Sequence, residues 1–358
     1  METTTLQSKT NGKQTASHLS PEHIMQIGMG FWASKTLLTA INFNLFTILV
    51  GGALPGTAIQ KKLGLHDRGL YDFLDTLVAL GFLNREGIYE TAVYSNTPET
   101  DFFLDKNKPA YLGGILEMSN NRLYKYWGDL EEGLITGQPQ NELKYANAES
   151  GNQFDEFYKD PAKLREFLNA MTGVQLGAFR SFAKQFDFSR YHTLTDAGGA
   201  IGALCVQVAA NNPNMSCTVF DLPTVKPLAE DFVKQHKLSD RINVVAGDFF
   251  ADALPQSDVI VMGNILHDWT EKEKLQLFKQ AYDALPQGGA FVCIENIIDN
   301  DRRKNAFGLM MSLNMLIETK GGFDFTFNDF DSWAHQTGFT STEWLLLAGP
   351  TSAAIAYK

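Results

Sequence analysis

Apolar residues follow two different patterns along the chain. Up to about residue 180 they recur at helical spacing, and in the stretch 24–49 they cover more than one helix face. From about residue 188 onward, short apolar runs alternate with helical segments, which is typical of a doubly wound parallel sheet. We therefore predict a disordered arm over residues 1–20, a helical domain over 21–180 and an α/β domain over 181–358.

Part of the helical half predicts a winged-helix motif. A short helix over 57–63, a longer helix over 67–80 and a hairpin over 82–92 follow one another there. The second helix carries Asp72 and Asp75, which DNA phosphates would repel. We therefore interpret this half as a scaffold for protein contacts, and its excess of apolar residues predicts a homodimer and no nucleic-acid partner.

Composition and charge agree with a globular enzyme. The chain has 358 residues, a length that exceeds what one core usually supports. Of these residues, 44% are hydrophobic and 20% are charged, which is ordinary for a globular enzyme. Its net charge of −11 disfavours binding to nucleic acid. No apolar run reaches membrane-spanning length and the polar start lacks a signal-peptide core, so we expect a cytoplasmic protein without membrane contact.

The second half is predicted to place polar residues along one edge of its sheet. The predicted strands are 191–195, 217–220, 242–246, 259–262 and 290–295, followed by a hairpin over 344–357 at the sheet edge. Ligands of such sheets bind beside the carboxyl ends of the strands. The polar residues at those ends are Asp196, Asp221, Asp248, Asn264 and Glu295. They predict a ligand crevice.

A glycine-rich turn follows the first of these strands. Gly198, Gly199 and Gly202 allow a sharp strand-to-helix turn and close approach of a ligand to the backbone. The spacing matches neither the three-glycine dinucleotide pattern nor a P-loop. Asp221, at the end of the next strand, suits the two hydroxyls of a ribose. Together these residues predict a nucleotide-cofactor site, and the turn resembles the first motif of S-adenosylmethionine (SAM) methyltransferases.

Five segments of this half strengthen that resemblance through their order and spacing. They are residues 196–202, 220–223, 247–250, 264–269 and 284–289. Together they resemble the plant-type small-molecule O-methyltransferases, which include caffeic acid and acetylserotonin methyltransferases, and the match runs from roughly residue 28 to the C-terminus. The resemblance implies a doubly wound, class I SAM-methyltransferase domain behind an all-helical, winged-helix dimerisation domain.

The resemblance also implies roles for individual residues. His267 would be the general base, steered by Glu295 and by Asp324. The residues implied to bind SAM are Gly198 beside its methionine part, Asp221 on the ribose, Leu222, Phe249 and Trp269 around the adenine, Asp248 on the adenine amino group, and Asn264. Met171 matches a substrate-contact position, and the candidates added by proximity are Met118, Asn121, Trp127, Asn314 and Met315.

Chemistry supports the role of His267 in part. Imidazole has a suitable pKa for taking a proton from a hydroxyl near neutral pH. A structural interpretation stays open on the residues alone, because Asp268 could simply cap the helix that follows. The sequence also departs from the family pattern, with Ala200 in place of a glycine and Asp324 in place of a glutamate. Phe323 and Phe325 stand where relatives have charged residues, so the substrate class is not inherited.

Two other functions remain open at this stage. The enzyme could methylate carbon or sulfur of a 2-oxo acid or thioether, with a metal held by His267, Asp268 and Glu318. Adjacent His and Asp residues are a poor ligand pair, so we predict no metal. The chain could also be a non-catalytic SAM-binding protein, but the retention of His267, Glu295 and Asp324 argues against that function.

Overall fold

The computed structural model describes residues 19–108, 110–145 and 160–358. The predicted disordered arm lies outside these residues, apart from residues 19 and 20. The helices of the first half are Glu22–Gly28, Gly30–Asn42, Leu45–Ile48, Gly56–Leu63, Asp67–Ala79, Pro98–Phe103, Gly113–Met118, Tyr124–Tyr126, Leu130–Thr136 and Glu142–Tyr145. Shorter 3-10 or π-helical turns are Tyr89–Thr91, Ser119–Leu123 and Trp127–Asp129.

The predicted succession of helix, turn, helix and hairpin is present in this half. Its strands are β1 (Leu54–Pro55), β2 (Leu83–Glu86) and β3 (Val93–Asn96), in the order β1-β3-β2. The hairpin reaches beyond the predicted end at residue 92, because a 3-10 turn lengthens its connection. Asp75 pairs with Arg85 at 2.8 Å and accepts a hydrogen bond from Tyr94 at 2.7 Å. An acidic side chain of the second helix is thus bonded within the motif.

The second half contains one large sheet. Its strands are β4 (Thr193–Ala197), β5 (Ser216–Asp221), β6 (Ile242–Ala246), β7 (Val259–Gly263), β8 (Ala290–Glu295), β9 (Ser341–Ala348) and β10 (Thr351–Tyr357). They are arranged in the order β6-β5-β4-β7-β8-β10-β9. The first five run parallel, and β10 is antiparallel to both β8 and β9. The predicted parallel sheet and its late edge hairpin are confirmed.

Helices cover both faces of this sheet. They are Pro161–Gln185, Ala203–Asn211, Lys226–Gln235, Glu271–Ala284 and Phe327–Thr337, while Ala306–Glu318 packs against the 3-10 turn Leu266–Asp268 that follows β7. One core joins Phe182 and Leu204 to Val261, and the core on the opposite face joins Phe278 and Phe330. Within the described ranges, none of the helices has the length and apolar composition needed to cross a bilayer.

Buried polar contacts join the two halves of the chain. Arg122 pairs with Glu142 of its own half and, at 2.9 Å, with Glu318 at the end of the helix Ala306–Glu318. The amide of Asn141 donates to the backbone carbonyl of Glu318 at 2.6 Å. Since a buried ion pair is expensive to break by removing one partner, these contacts hold the first half against that helix.

Candidate active site

The glycine-rich turn connects β4 to the helix Ala203–Asn211 through a backbone that side chains disfavour. Gly198 has φ 74° and Gly202 has φ 86°, both in the left-handed region where glycine carries no steric penalty. Ala200 adopts φ 49° in the same turn, at the position where the resemblance leads one to expect glycine. A Cβ atom on Gly198 would lie 2.4 Å from Ile265 and 3.5 Å from Phe249. The predicted turn is present, and at Gly198 a side chain has no room.

Asp221 lies at the end of β5, beside this turn. Its two carboxylate oxygens accept hydrogen bonds from the backbone N–H groups of Ala200 and Leu222, each at 2.7 Å. Burial raises the pKa of Asp221 to about 6, although these hydrogen bonds act to lower it. The carboxylate therefore fixes the glycine turn and the residue after β5 in one arrangement.

Asp196 is a second buried acid under the same turn. The sequence predicts it at the ligand crevice, but it is not among the residues that the resemblance implies to bind SAM. Burial, with the nearby charge of Asp221, raises its pKa to about 8. A Cβ atom on Gly199 would lie 2.8 Å from the Asp196 carboxyl group. Its position just before the first glycine indicates a place beside the cofactor site, because the end of β4 faces the same crevice as the end of β5.

Aromatic side chains gather beside the turn. The ring of Trp269 lies edge-on to Phe250 at 4.6 Å and to Phe249 at 6.1 Å between centroids. The indole nitrogen of Trp269 is buried without a hydrogen-bond partner among the described residues. Asp248 turns its own loop by accepting from the N–H of Phe250 at 2.8 Å. A buried donor without a partner, flat apolar walls and a glycine-rich turn fit an adenosine-containing ligand such as SAM.

A tight turn after β7 positions His267. Asn264 has φ 52°, in the left-handed region that asparagine tolerates, and its N–H donates to Ile294 of β8 at 3.0 Å. The 3-10 turn Leu266–Asp268 then begins and directs His267 into the interior, where the whole residue is 6% exposed. His267 thus lies just beyond the carboxyl end of β7.

His267 lies among three carboxylates. Its Nδ1 is 3.4 Å from Glu295 Oε2 and 3.5 Å from Asp324 Oδ1, while its Nε2 is 3.7 Å from Asp268 Oδ1. The other oxygen of Glu295 accepts from the backbone N–H groups of Ile265 and Leu266 at 3.1 Å and 3.0 Å. Glu295, at the end of β8, is thus anchored to the turn that carries His267.

These neighbours alter the proton affinity of the site. Burial lowers the pKa of His267, but the negative charges of Glu295, Asp268 and Asp324 outweigh it and raise the pKa to about 10. Burial raises the pKa of Glu295 to about 7, although His267 opposes that effect. The cluster therefore holds a proton on the imidazole more firmly than an isolated histidine would.

Asp324 reaches the site on a loop packed tightly against the His267 turn. A Cβ atom on Gly321 would lie 2.4 Å from Thr270, and one on Gly322 would lie 2.5 Å from the carbonyl oxygen of His267. Because both glycines lack a side chain, the loop can approach the turn. This close approach compensates for the side chain of Asp324, which is shorter than the glutamate of the family pattern, and brings its carboxylate to His267.

The predicted substrate residues lie on three short helical elements of the first half and on the helices Pro161–Gln185 and Ala306–Glu318. Trp127 donates from its indole nitrogen to Asn314 Oδ1 at 2.9 Å, which joins two of the candidates across the halves. The helix of Met118 packs against the long helix of Met171, as the approach of Gly114 to Ala170 shows. Two candidates differ in exposure from these half-buried residues: Asn121 is exposed and Met315 is buried.

The ligand set considered for a metal is not assembled. Glu318 forms its ion pair with Arg122, and its other carboxylate oxygen is buried without a hydrogen-bond partner in the described part of the chain. The acid that lies beside His267 and Asp268 is instead Asp324. The lysine Lys274 also lies near this cluster, fully buried. Sequence reasoning missed it, because a lysine within an amphipathic helix normally faces solvent.

Comparisons with known proteins agree on one family. The family model described as an O-methyltransferase domain matches residues 127–340, and the one described as an O-methyltransferase dimerisation domain matches residues 25–106. A tetracenomycin polyketide synthesis 8-O-methyl transferase of Streptomyces glaucescens is 37% identical over 94% of this chain and 97% of its own length. A 3-hydroxy-5-methyl-1-naphthoate 3-O-methyltransferase of Streptomyces sahachiroi is 30% identical over 92% of each chain.

A solved structure shows the same fold with the cofactor bound. Human N-acetylserotonin methyltransferase in complex with SAM matches with a TM-score of 0.87 and 27% identity, over 96% of this chain and 99% of that one. The resemblance that the motifs predicted is confirmed, and SAM is the cofactor. Because one family model covers more than half of the chain, we conclude that it belongs to the O-methyltransferase family, as a SAM-dependent methyltransferase of small molecules with the family's dimerisation domain.

Proposed function

We propose that this enzyme methylates a hydroxyl group of a polycyclic aromatic small molecule, and that His267 is the base that takes the hydroxyl proton. The observation that carries this proposal is the buried contact of His267 Nδ1 with both Glu295 and Asp324. Carboxylates on one imidazole nitrogen fix the tautomer of the ring and stabilise its cation. Nε2 is then the nitrogen that receives the proton.

SAM supplies the methyl group from its sulfonium. In our proposal Asp221 and the glycine turn hold the ribose and the methionine part, while Phe249 and Trp269 flank the adenine. His267 would take the acceptor proton as the O–C bond forms and the S–C bond of the sulfonium breaks to leave a neutral thioether, and Glu295 and Asp324 would stabilise the resulting imidazolium. Much of the rate in such a transfer comes from fixed positions and excluded water, which the burial of the base provides.

We propose that a proton, and no metal, occupies the base cluster. One atom each of His267, Glu295 and Asp324 lies within 4.8 Å of the others, a spacing that could also suit a metal ion. The ammonium of Lys274 already acts on these carboxylates, and a second cation would be repelled by it. A proton on His267 adds one positive charge, whereas a divalent metal would add two and would be repelled more strongly by Lys274.

The proposed acceptor class rests on the names of two relatives and on the predicted substrate residues. Two relatives bear the names of enzymes that methylate a polyketide and a naphthoate. The predicted substrate residues include Trp127, Met118 and Met171, which suit a flat aromatic molecule through stacking and adaptable thioether contacts.

A panel of polycyclic phenols, hydroxy acids, 2-oxo acids and thioethers, assayed with labelled SAM in the presence of EDTA, tests the proposal. Label in thioethers or 2-oxo acids alone would contradict it.

We expect the turnover rate to rise with pH over an alkaline range. The reaction needs neutral His267, and a raised pKa means that this form accumulates only above the ordinary histidine value of about 6.5. The midpoint should therefore lie well above 6.5 for an acceptor whose hydroxyl does not itself titrate there. In Asp324→Asn, loss of one negative charge should move the midpoint down. A midpoint unchanged by that substitution would contradict the proposed cluster.

We also propose a homodimer formed through residues 21–180, with the catalytic domain over 181–358 and a cytoplasmic location. The first two helices expose apolar side chains, with Ile24 at 73% and Trp32 at 60% exposure. Such a surface is unusual for a free monomer and suits burial against a second copy. Light scattering at micromolar concentration should give twice the chain mass of 39.8 kDa. A monomer mass under those conditions would contradict this assembly.

A further inference from the structure

Lys274 is a buried cation beside the proposed base. Its side chain has 0% exposure in the first turn of the helix Glu271–Ala284. A positive charge in the first turn opposes the helix dipole, and enclosing an ammonium costs free energy that an apolar side chain would not. Neither helix stability nor core packing therefore explains a lysine at this position.

The ammonium of Lys274 contacts two segments of the active site. Its Nζ donates a hydrogen bond to the carbonyl oxygen of Trp269, just after the turn that carries His267. Nζ also lies 3.6 Å from the centroid of the Phe323 ring, a close cation–π contact with the loop that carries Asp324. One side chain thus joins the turn of the base to the loop of its carboxylate.

The charged groups around Lys274 are acidic. Burial lowers the pKa of Lys274 to about 8, although Glu295, Asp324 and Asp268 raise it through their charge, as does Glu273 on its own helix. The first three of these carboxylates are the ones that favour the protonated form of the proposed base. A positive charge at position 274 opposes that effect and favours the neutral imidazole.

We propose that Lys274 is a positioning residue for methyl transfer: its buried ammonium holds the loop of Asp324 against the turn of His267 and offsets the three carboxylates around the imidazole. This inference rests on the proposed role of His267 as the base. Lys274 has no direct part in the chemistry. It acts through the base, by geometry and by charge.

The test is the pH dependence of turnover in two neutral variants. Lys274→Met keeps most of the side-chain volume, and Lys274→Gln keeps a donor for the carbonyl of Trp269. In both, turnover at neutral pH, where the wild-type lysine is charged, should fall about tenfold and should recover at higher pH, because loss of that charge favours the protonated imidazole. The KM for SAM should change by less than about twofold. Lys272→Met, which removes an exposed lysine from the same helix, should match the wild type.

A role limited to packing would lower thermal stability and leave the ratio of turnover at neutral pH to turnover at alkaline pH unchanged, and that result in a folded Lys274→Met or Lys274→Gln protein would overturn the proposal. Lys274→Arg retains the charge and should keep the wild-type ratio. If neither neutral variant folds, a changed ratio in folded Lys274→Arg would overturn the proposal instead. The sign is diagnostic, because Asp324→Asn should change this ratio in the opposite direction.

The failure of this inference can be told apart from failure of the proposed function. If His267→Ala retains wild-type turnover, the base itself is misassigned and both proposals fall. If His267→Ala is inactive while the neutral variants of Lys274 keep the wild-type ratio of neutral to alkaline turnover, the base stands and only the role of Lys274 is rejected.

Discussion

Replacing His267 by alanine should lower turnover by roughly two to four powers of ten while SAM binding stays nearly intact. The side chain lies beyond β7 among carboxylates, whereas the glycine turn and Asp221 carry the cofactor contacts proposed here. Single-turnover kinetics with a phenolic acceptor, together with calorimetry of SAM binding, measures both effects. Glu295→Gln should cost less, because it removes orientation and charge but leaves the base.

Two further variants make that result interpretable. His267→Gln fills more of the space and should be as slow as the alanine variant, which separates loss of the base from a cavity among the carboxylates. His335→Ala removes an exposed histidine and should keep the wild-type rate. Unchanged turnover in His267→Ala would reject hydroxyl deprotonation and favour an acceptor without a proton to lose, such as a thioether sulfur.

Replacing Asp221 by alanine should weaken SAM binding by roughly 2 to 4 kcal/mol, because two charge-assisted hydrogen bonds to the ribose are lost. The effect has a second source in this structure. The same carboxylate holds the N–H groups of Ala200 and Leu222, so the glycine turn loses its fixed shape together with its ligand contact. Isothermal calorimetry of the purified variant gives the change in affinity.

Asp221→Asn serves as the intermediate case, since its amide oxygen can still accept one of the two backbone hydrogen bonds. It should bind SAM more weakly than the wild type and more tightly than Asp221→Ala. Asp240→Ala, at an exposed position, is the matched control for the lost charge. An Asp221→Ala protein that is folded and binds SAM with wild-type affinity would remove this residue from the cofactor site.

The positions of Asp221 and His267 were predictable because each depends on a local pattern. Both follow short apolar runs that favour buried strands, and parallel strands bring their carboxyl ends to one edge. The same reasoning placed Glu295 at the end of β8. The role of Asp324 could be predicted only from the family resemblance, because no strand precedes this residue. Its short side chain reaches His267 because its loop approaches the turn closely.

Other contacts depend on packing between distant segments and leave no local signal. Lys274 lies three, four and seven residues before Leu277, Phe278 and Ala281, on the buried face of its helix, but this spacing does not show that Phe323 of a distant loop covers it. On the sequence alone, Glu318 is a candidate metal ligand. Its pairing with Arg122 cannot be read from the sequence, because the two residues lie far apart in the chain. Periodicity reports which face of an element is buried, but it does not say which distant side chain covers it.

Arg122 and Trp127 bind the first half of the chain to the helix Ala306–Glu318, whereas the base His267 and its carboxylates belong wholly to the second half. The segment 113–136 can therefore change without altering any group proposed to move a proton. In a lineage of such enzymes, the choice of acceptor and the capacity for methyl transfer are free to evolve at different rates. Gene duplication followed by drift in this segment would give new products while the chemistry is inherited intact.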